Sequence, residues 1–118
     1  MKNSINRRGN MLEVNKDNFE AEVLNYTEKP VFVDYWGDKC QKCIELMPDV
    51  HKLEEKYGDK IKFCSLNTSQ NRRLAIAQKV LGLPTMIVYV NGEKAEVLTP
   101  DKINTVEDIE NAIKRFCE

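Results

Sequence analysis

Runs of apolar residues, separated by polar or glycine-containing segments, predict five β-strands along the chain. The run from Val31 to Trp36 is almost entirely β-branched or aromatic, which is typical of a strand covered on both faces. Asn91-Gly92 is the dipeptide most typical of a two-residue hairpin turn, so we expect it to join the last two strands. The predicted strands cover residues 12–14, 31–36, 61–66, 86–90 and 95–98.

Apolar residues at spacings of three and four predict helices between the strands. The first helix carries Phe19 and Val23 on one face, with Asn15 or Asp17 available as its N-cap. The second helix begins at Cys40. The residues of its predicted buried stripe are Cys43, Met47, Val50, Leu53 and Tyr57.

Two further helices follow in the second half of the chain. Residues 71–81 have a helical pattern, with Leu74, Ala77 and Leu81 on one face. Thr105, with Asp108 three residues later, has the spacing of a capping box and predicts the start of the last helix. The inner face of that helix is predicted to contain Val106, Ile109, Ile113 and Phe116.

The element order β-α-β-α-β-α-β-β-α predicts an α/β protein, because helices that alternate with strands cover both faces of a sheet. The final hairpin makes the sheet mixed, so the expected architecture is a three-layer α/β/α sandwich. We expect residues 11–118 to form one domain. Residues 1–10 lack an apolar pattern and are predicted to be a disordered N-terminal extension.

Composition and charge exclude several classes of function. The 118 residues are 42% hydrophobic and 31% charged, and the formal net charge is −1. This balance gives no electrostatic reason to expect nucleic acid or a membrane surface as a partner. The first ten residues contain no apolar segment like that of a secretory signal. We therefore expect a cytoplasmic protein.

The four cysteines point to redox chemistry at one pair. Cys40 and Cys43 form a C-x-x-C motif, whereas Cys64 and Cys117 are distant from it in sequence. In a reducing compartment such a close pair indicates redox catalysis or metal binding. Zinc needs four ligands, and the spacing of the remaining cysteines and His51 matches no common zinc site. We therefore predict redox catalysis, with no metal and no cofactor.

The position of the C-x-x-C motif at the start of a helix assigns different roles to its cysteines. Residues three apart share a helical face, so their sulfur atoms can bond. Unpaired N–H groups and the helix dipole favour a thiolate at Cys40, and the charges of Lys39 and Lys42 act in the same direction. We expect Cys40 to attack a substrate disulfide and the inward-facing Cys43 to resolve the mixed disulfide.

Asp34 is a carboxylate within an otherwise apolar strand. Alternation places it on the same face as Phe32 and Trp36, beneath the helix that begins at Cys40. Burial should raise the pKa of its carboxyl, which suits a general base that accepts the Cys43 proton. The alternative is a structural carboxylate whose oxygens accept hydrogen bonds from backbone N–H groups.

Several motifs in a fixed order resemble those of the thioredoxin family, over essentially residues 11–116. These are Val33-Asp34-Tyr35-Trp36 before the C-x-x-C, Pro48 five residues after Cys43, Leu83-Pro84-Thr85 before a strand, and the Asn91-Gly92 turn. The resemblance implies the thioredoxin fold, with sheet order 1-3-2-4-5 and four flanking helices. It also implies a cis Leu83–Pro84 bond.

The resemblance also implies a protein-docking surface around Cys40, formed by Trp36, Leu83, Pro84 and the loop around Thr99-Pro100. This chain departs from the family pattern beside the cysteines. Lys39 replaces the usual aromatic residue, and Gln41-Lys42 replaces Gly-Pro. We include these three residues among the predicted docking residues. The lysine that usually accompanies the buried acid is replaced by Ser65.

The predicted function is thiol–disulfide exchange with disulfide-containing protein substrates. As a general protein-disulfide reductase, the chain would act as a monomer and be recycled by thioredoxin reductase or a similar electron donor. The alternatives are a dedicated electron carrier for one partner enzyme and a redox-inactive docking module with the same fold.

Overall fold

A five-stranded mixed sheet forms the middle layer of the protein. The computed structural model describes residues 11–118; the extension predicted at residues 1–10 lies outside them. The strand order β1-β3-β2-β4-β5 confirms the expected topology. β1 and β2 both run parallel to β3, whereas β4 runs antiparallel to β2 and β5. The strands are β1 (Leu12–Glu13), β2 (Val31–Trp36), β3 (Lys62–Asn67), β4 (Thr85–Val90) and β5 (Glu93–Leu98).

Within residues 11–118, four helices cover the two faces of this sheet. The short α1 is π-helical, and its preceding turn is stabilised by Asn15, whose Oδ1 accepts hydrogen bonds from the N–H groups of Asp17 and Asn18. None of the four is long and apolar enough to cross a membrane. The helices are α1 (Glu20–Leu24), α2 (Gln41–Tyr57), α3 (Arg72–Ala77) and α4 (Val106–Ile113).

The alternating side chains of β2 contribute to two separate apolar cores. Val31, Val33 and Tyr35 pack into the core that also contains residues of α1 and α3. Phe32 packs into the core that contains residues of α2 and α4. The three-layer α/β/α sandwich is therefore confirmed, with β2 buried on both faces.

The buried stripe of α2 differs slightly from the predicted one. The helix begins after Cys40, as expected, and Gly58 is its C-cap. Leu46 is buried although the predicted stripe omitted it, whereas Met47 and Tyr57 are only half-buried. The stripe follows the 3.6-residue helical period, which brings Leu46 to the same face as Cys43 and Val50. The residues buried in α2 are Cys43, Leu46, Val50 and Leu53.

The helix predicted at residues 71–81 is shorter than expected and buries different residues. α3 ends at Ala77, and Lys79 adopts a left-handed conformation with φ of 64°. This turn lets the Val80 N–H donate to the Ala75 carbonyl at 2.9 Å and places the Val80 side chain in the core. Leu81 is 87% exposed, so its predicted place on a buried face is wrong. Ala77 is exposed as well, and Ala75 is the buried residue of α3.

The N-terminus of α4 is capped as the sequence predicts. The Asp108 carboxylate accepts hydrogen bonds from the N–H groups of Asn104 and Thr105, at 2.9 and 3.1 Å. These bonds stabilise the charged carboxylate and lower the pKa of Asp108. Ile109 and Ile113 then enter the core, while Val106 and Phe116 pack at its edge.

The β4–β5 hairpin has the turn predicted from Asn91-Gly92. Both residues have positive φ angles, 53° and 82°, which is the conformation of a type I′ turn. The turn lies against the end of α1, because a Cβ atom on Gly92 would lie 2.5 Å from the Leu24 carbonyl oxygen. Glycine at this position therefore avoids both backbone strain and a steric clash.

We expect Gly92→Ala to lower the free energy of unfolding by about 2 kcal/mol, because alanine adds left-handed strain and a contact with a backbone oxygen. Urea titration followed by circular dichroism would measure the change. Glu93→Ala, at the exposed neighbouring position, serves as the control. Equal stability of both variants and the parent would contradict this account of the turn.

Candidate active site

A three-residue connection, Gly37-Asp38-Lys39, leads from the end of β2 to Cys40. The Cys40 N–H donates to the Gly37 carbonyl at 3.1 Å, which makes the connection tight. The Asp38 N–H donates to Ser69 Oγ at 3.0 Å. The hydrogen bond between residues 38 and 69 joins the connection to the segment that follows β3.

A second pair of hydrogen bonds fixes the same end of the sheet. Asn67 Nδ2 donates to the Asp38 carboxylate at 2.9 Å, and Thr68 Oγ1 donates to the Trp36 carbonyl at 2.9 Å. Because β2 and β3 are parallel, their carboxyl ends meet at one edge, and the polar groups of both can interact there. Hydrogen bonds to residues 67–69 therefore hold the segment before Cys40 against the end of β3.

Cys40 and Cys43 form a disulfide at the start of α2, with their Cα atoms 5.2 Å apart. Cys40 is the N-cap residue and is half-buried, whereas Cys43 is only 2% exposed. The Cys43 N–H donates to Cys40 Sγ at 3.1 Å. An N–H group that has no partner within the helix thus donates to the Cys40 sulfur. This arrangement favours negative charge on the sulfur.

Asp34 lies in the middle of β2, beside Ser65 of β3 and Met86 of β4. It is only 2% exposed, and its Oδ1 has no hydrogen-bond partner within residues 11–118. Loss of water around the carboxyl raises its pKa to about 7. The absence of backbone donors to Oδ1 argues against the alternative of a carboxylate satisfied by the main chain.

The loop before β4 packs against the connection that precedes Cys40. A Cβ atom on Gly37 would lie 2.8 Å from Leu83 Cδ1, so the Leu83 side chain lies directly on the Gly37 backbone. The Leu83–Pro84 bond is cis, as expected, and Pro84 is buried. Thr85 Oγ1 closes the loop by donating to the Gly82 carbonyl at 2.6 Å.

These contacts leave a groove of about 630 Å³ beside Cys40. Sequence reasoning predicted Lys39 and Leu83 at this site but missed Ser69 and Arg72, which also line it. The signal available for the missed residues was their position just after a strand parallel to β2. The groove is lined by Gly37, Asp38, Lys39, Cys40, Ser69, Arg72 and Leu83.

The three atypical residues beside the cysteines have different surroundings. Lys39 is exposed and lines the groove. Gln41 lies on the exposed side of α2, where its Nε2 donates to Glu45 Oε2 at 3.2 Å. Lys42 Nζ donates to the Ile103 carbonyl. The structure therefore brings Lys39 to the groove beside Cys40 and connects Lys42 to the segment before α4.

The two remaining cysteines are free thiols. Cys64 is fully buried in β3, and burial raises the pKa of its thiol to about 12. Cys117 is half-buried near the C-terminus, and burial also raises its pKa. Within residues 11–118, no group of three or more histidine, cysteine, aspartate or glutamate side chains could hold a metal ion.

The family model described as Thioredoxin matches residues 10–115. The chain belongs to the thioredoxin family. A thioredoxin of Peptoclostridium acidaminophilum is 49% identical over 105 residues, covering 89% of this chain and 94% of the relative. A thioredoxin of Acetoanaerobium sticklandii is 43% identical over 106 residues, covering 90% and 99% of the two chains.

A solved structure supports the same fold. The crystal structure of Chlamydomonas reinhardtii thioredoxin f2 superimposes with a TM-score of 0.80 at 24% sequence identity, covering 89% of this chain and 94% of that one. The family and the Cys40–Cys43 disulfide confirm the predicted activity. This thioredoxin-family chain is a thiol–disulfide oxidoreductase that acts as a protein-disulfide reductase.

The raised pKa of Asp34 predicts a pH-dependent stability of the disulfide form. The carboxyl holds its proton up to about pH 7 when folded, but its ordinary pKa is 3.8. Unfolding therefore releases a proton between these values, so the free energy of unfolding falls as pH rises through this window. Across this window, the free energy of unfolding should fall by about 4 kcal/mol less in Asp34→Asn than in the parent.

Urea titrations of both proteins at a series of pH values would measure the difference. Asp59→Asn, at an exposed carboxylate, is the control. Parallel stability profiles of the parent and Asp34→Asn above about pH 4 would show that the Asp34 pKa is not raised.

Proposed function

We propose that Cys40 is the attacking cysteine of this reductase, that Cys43 is the resolving cysteine, and that Asp34 is the general base. The observation that carries the assignment is the unequal burial of the two cysteine residues at one helix N-terminus. Cys40 lines the groove, whereas Cys43 is 2% exposed on the buried face of α2. Only the first sulfur is accessible to a protein substrate.

The reaction consists of two exchange steps. The Cys40 thiolate attacks one sulfur of a substrate disulfide, forms a Cys40–substrate disulfide and releases the other substrate sulfur as a thiolate. The Cys43 thiolate then attacks Cys40 Sγ, forms the internal disulfide and releases the second substrate sulfur. Two electrons pass to the substrate, and an external dithiol returns them to the Cys40–Cys43 pair.

The helix N-terminus supports the first step. N–H groups in the first turn of α2, including that of Cys43, stabilise negative charge at Cys40 Sγ. The Lys39 ammonium group lies beside the same groove and acts in the same direction. Both effects stabilise the Cys40 thiolate relative to the thiol, and this favours attack on the substrate disulfide.

Asp34 supports the second step. Cys43 must lose its proton before it can attack, and its burial opposes ionisation. The Asp34 carboxyl lies on the face of β2 that α2 covers, and its pKa of about 7 allows it to accept a proton near neutral pH. Asp34 Oδ1 has no hydrogen-bond partner among the described residues, so a lone pair is available to accept this proton.

Protein substrates bind around Cys40 in this proposal, against Trp36, Lys39, Leu83 and Pro84, with Gln41 and Lys42 at the adjacent edge. The electron donor is thioredoxin reductase or an enzyme of the same kind, and the chain acts as a cytoplasmic monomer. The relatives named thioredoxin support the proposed electron donor. The close packing of Leu83 on Gly37, beside the groove, supports the proposed binding surface. The open groove suits an extended peptide segment that carries a disulfide.

We expect Cys43→Ser to accumulate a mixed disulfide with insulin, because attack by Cys40 remains possible and resolution does not. Non-reducing electrophoresis and mass spectrometry would detect the adduct at Cys40. Cys40→Ser should give no adduct, and Cys117→Ser should reduce insulin at the parental rate. An adduct at Cys43 in the Cys40→Ser protein would reverse the assigned roles.

We expect Asp34→Asn to slow resolution by about a hundredfold at pH 8, a size typical of a lost general base. In the parent the resolution rate should rise through about pH 7, where Asp34 loses its proton. The variant should lack this rise. Rapid-quench measurement of the mixed disulfide across pH would separate the steps. An unchanged profile would leave Asp34 without a role in catalysis.

A further inference from the structure

The 99–103 loop, defined as residues Thr99 to Ile103, lies between two parts of the active site. Its middle is the 3₁₀ turn Pro100–Lys102, which is closed by hydrogen bonds from Lys102 N–H to the Thr99 carbonyl and from Ile103 N–H to the Pro100 carbonyl. The turn leads directly into the capped N-terminus of α4. These two hydrogen bonds make the short loop compact.

One side of the 99–103 loop contacts the loop that carries the cis bond. A Cβ atom on Gly82 would lie 3.2 Å from Pro100 Cγ, so the Pro100 ring lies close to the Gly82 backbone. Gly82 is followed immediately by Leu83, which packs on the connection before Cys40. The contact places the beginning of the 99–103 loop beside the residue that precedes Leu83, which lines the groove.

The other side of the 99–103 loop is bound by Lys42, which lies between the two cysteines in sequence. Lys42 Nζ donates to the Ile103 carbonyl, across 61 residues of chain. The Ile103 side chain is buried in the core that contains residues of α2 and α4, whereas no residue of the Pro100–Lys102 turn is buried. This bond connects the first turn of α2 to the end of the loop.

An acidic side chain of α4 lies near the Lys42 ammonium group. Asp108 caps α4, and the nearby Lys42 ammonium contributes to lowering the pKa of its carboxyl. Lys39, by contrast, lines the groove beside Cys40. The two lysines beside the cysteines therefore have different environments, and only Lys42 contacts the 99–103 loop.

We propose that Lys42 is a positioning residue that holds the 99–103 loop against the active site, so that the chain binds protein disulfides in preference to small ones. A protein substrate extends over the loop, and a loop that is already ordered loses less conformational entropy on binding. A small disulfide contacts only the region of Cys40 and gains nothing from the loop. This inference rests on the proposed binding of protein substrates around Cys40.

Lys42→Met tests the proposal, because it removes the donor and the charge but keeps a long side chain and high helix propensity. We expect the KM for insulin to rise about fivefold, with kcat nearly unchanged, because a charged hydrogen bond that orders the loop is lost. The Lys42 charge also favours the Cys40 thiolate, and the rate constant for the neutral hydroxyethyl disulfide reports that effect alone; it should fall less than kcat/KM for insulin. Lys42→Arg keeps a donor and should retain the parental KM.

Two comparison variants separate positioning from a general effect of charge. Lys52→Met removes an exposed charge from the same helix, away from the groove, and should leave both substrates unaffected. Lys39→Met should slow the reduction of hydroxyethyl disulfide as well as that of insulin, because it removes a charge that favours the Cys40 thiolate. Amide hydrogen exchange at Lys102 and Ile103 should become faster in Lys42→Met but not in Lys39→Met.

Equal slowing of insulin and hydroxyethyl disulfide in Lys42→Met would overturn the proposal in favour of a charge effect. An unchanged KM, or a KM in Lys42→Arg as high as in Lys42→Met, would also overturn it. Failure of the parent itself to reduce insulin would contradict the proposed function. Reduction by the parent with no selective effect in Lys42→Met would contradict only the role of Lys42.

Discussion

Burial of β2 on both faces is the constraint on which the active site depends. This strand pairs with β3 on one side and β4 on the other, and its side chains enter both apolar cores. Its end is consequently fixed in three dimensions. The connection from Gly37 to Lys39 then places Cys40 at the N-terminus of α2, which itself packs over the same strand.

The same burial gives Asp34 its unusual protonation. A carboxyl in the middle of a doubly covered strand loses its water, and Ser65 beside it carries no positive charge. Above about pH 7 the charged carboxylate therefore destabilises the fold. A polar group that lowers stability in a core is expected at functional sites, where chemistry rather than packing determines the residue.

The elements whose signals are local could be predicted from the sequence. The apolar run of β2, the Asn91-Gly92 turn and the Asp108 cap each depend on neighbouring residues, and the structure contains all three. The end of α3 could not be predicted, because residues up to Leu81 fit a helical period. Tertiary packing places Val80 rather than Leu81 in the core, and the chain turns at Lys79 to allow this.

The candidate site was predictable where the motif itself placed the residues, as at Cys40 and Cys43. It was not predictable where residues from distant segments meet. Arg72 reaches the groove only because β2 and β3 end at the same edge. The bond from Lys42 to Ile103 depends on the packing of α2 against α4.

The N-terminus of α2 makes two identical side chains chemically different. Alkylation of the reduced protein by iodoacetamide across pH, followed by peptide mapping, would measure this difference. Cys40 should be alkylated first and react as a thiolate below the pH at which an ordinary cysteine ionises, while Cys43 is protected. Equal alkylation of both cysteines, with the pH dependence of an ordinary thiol, would contradict it.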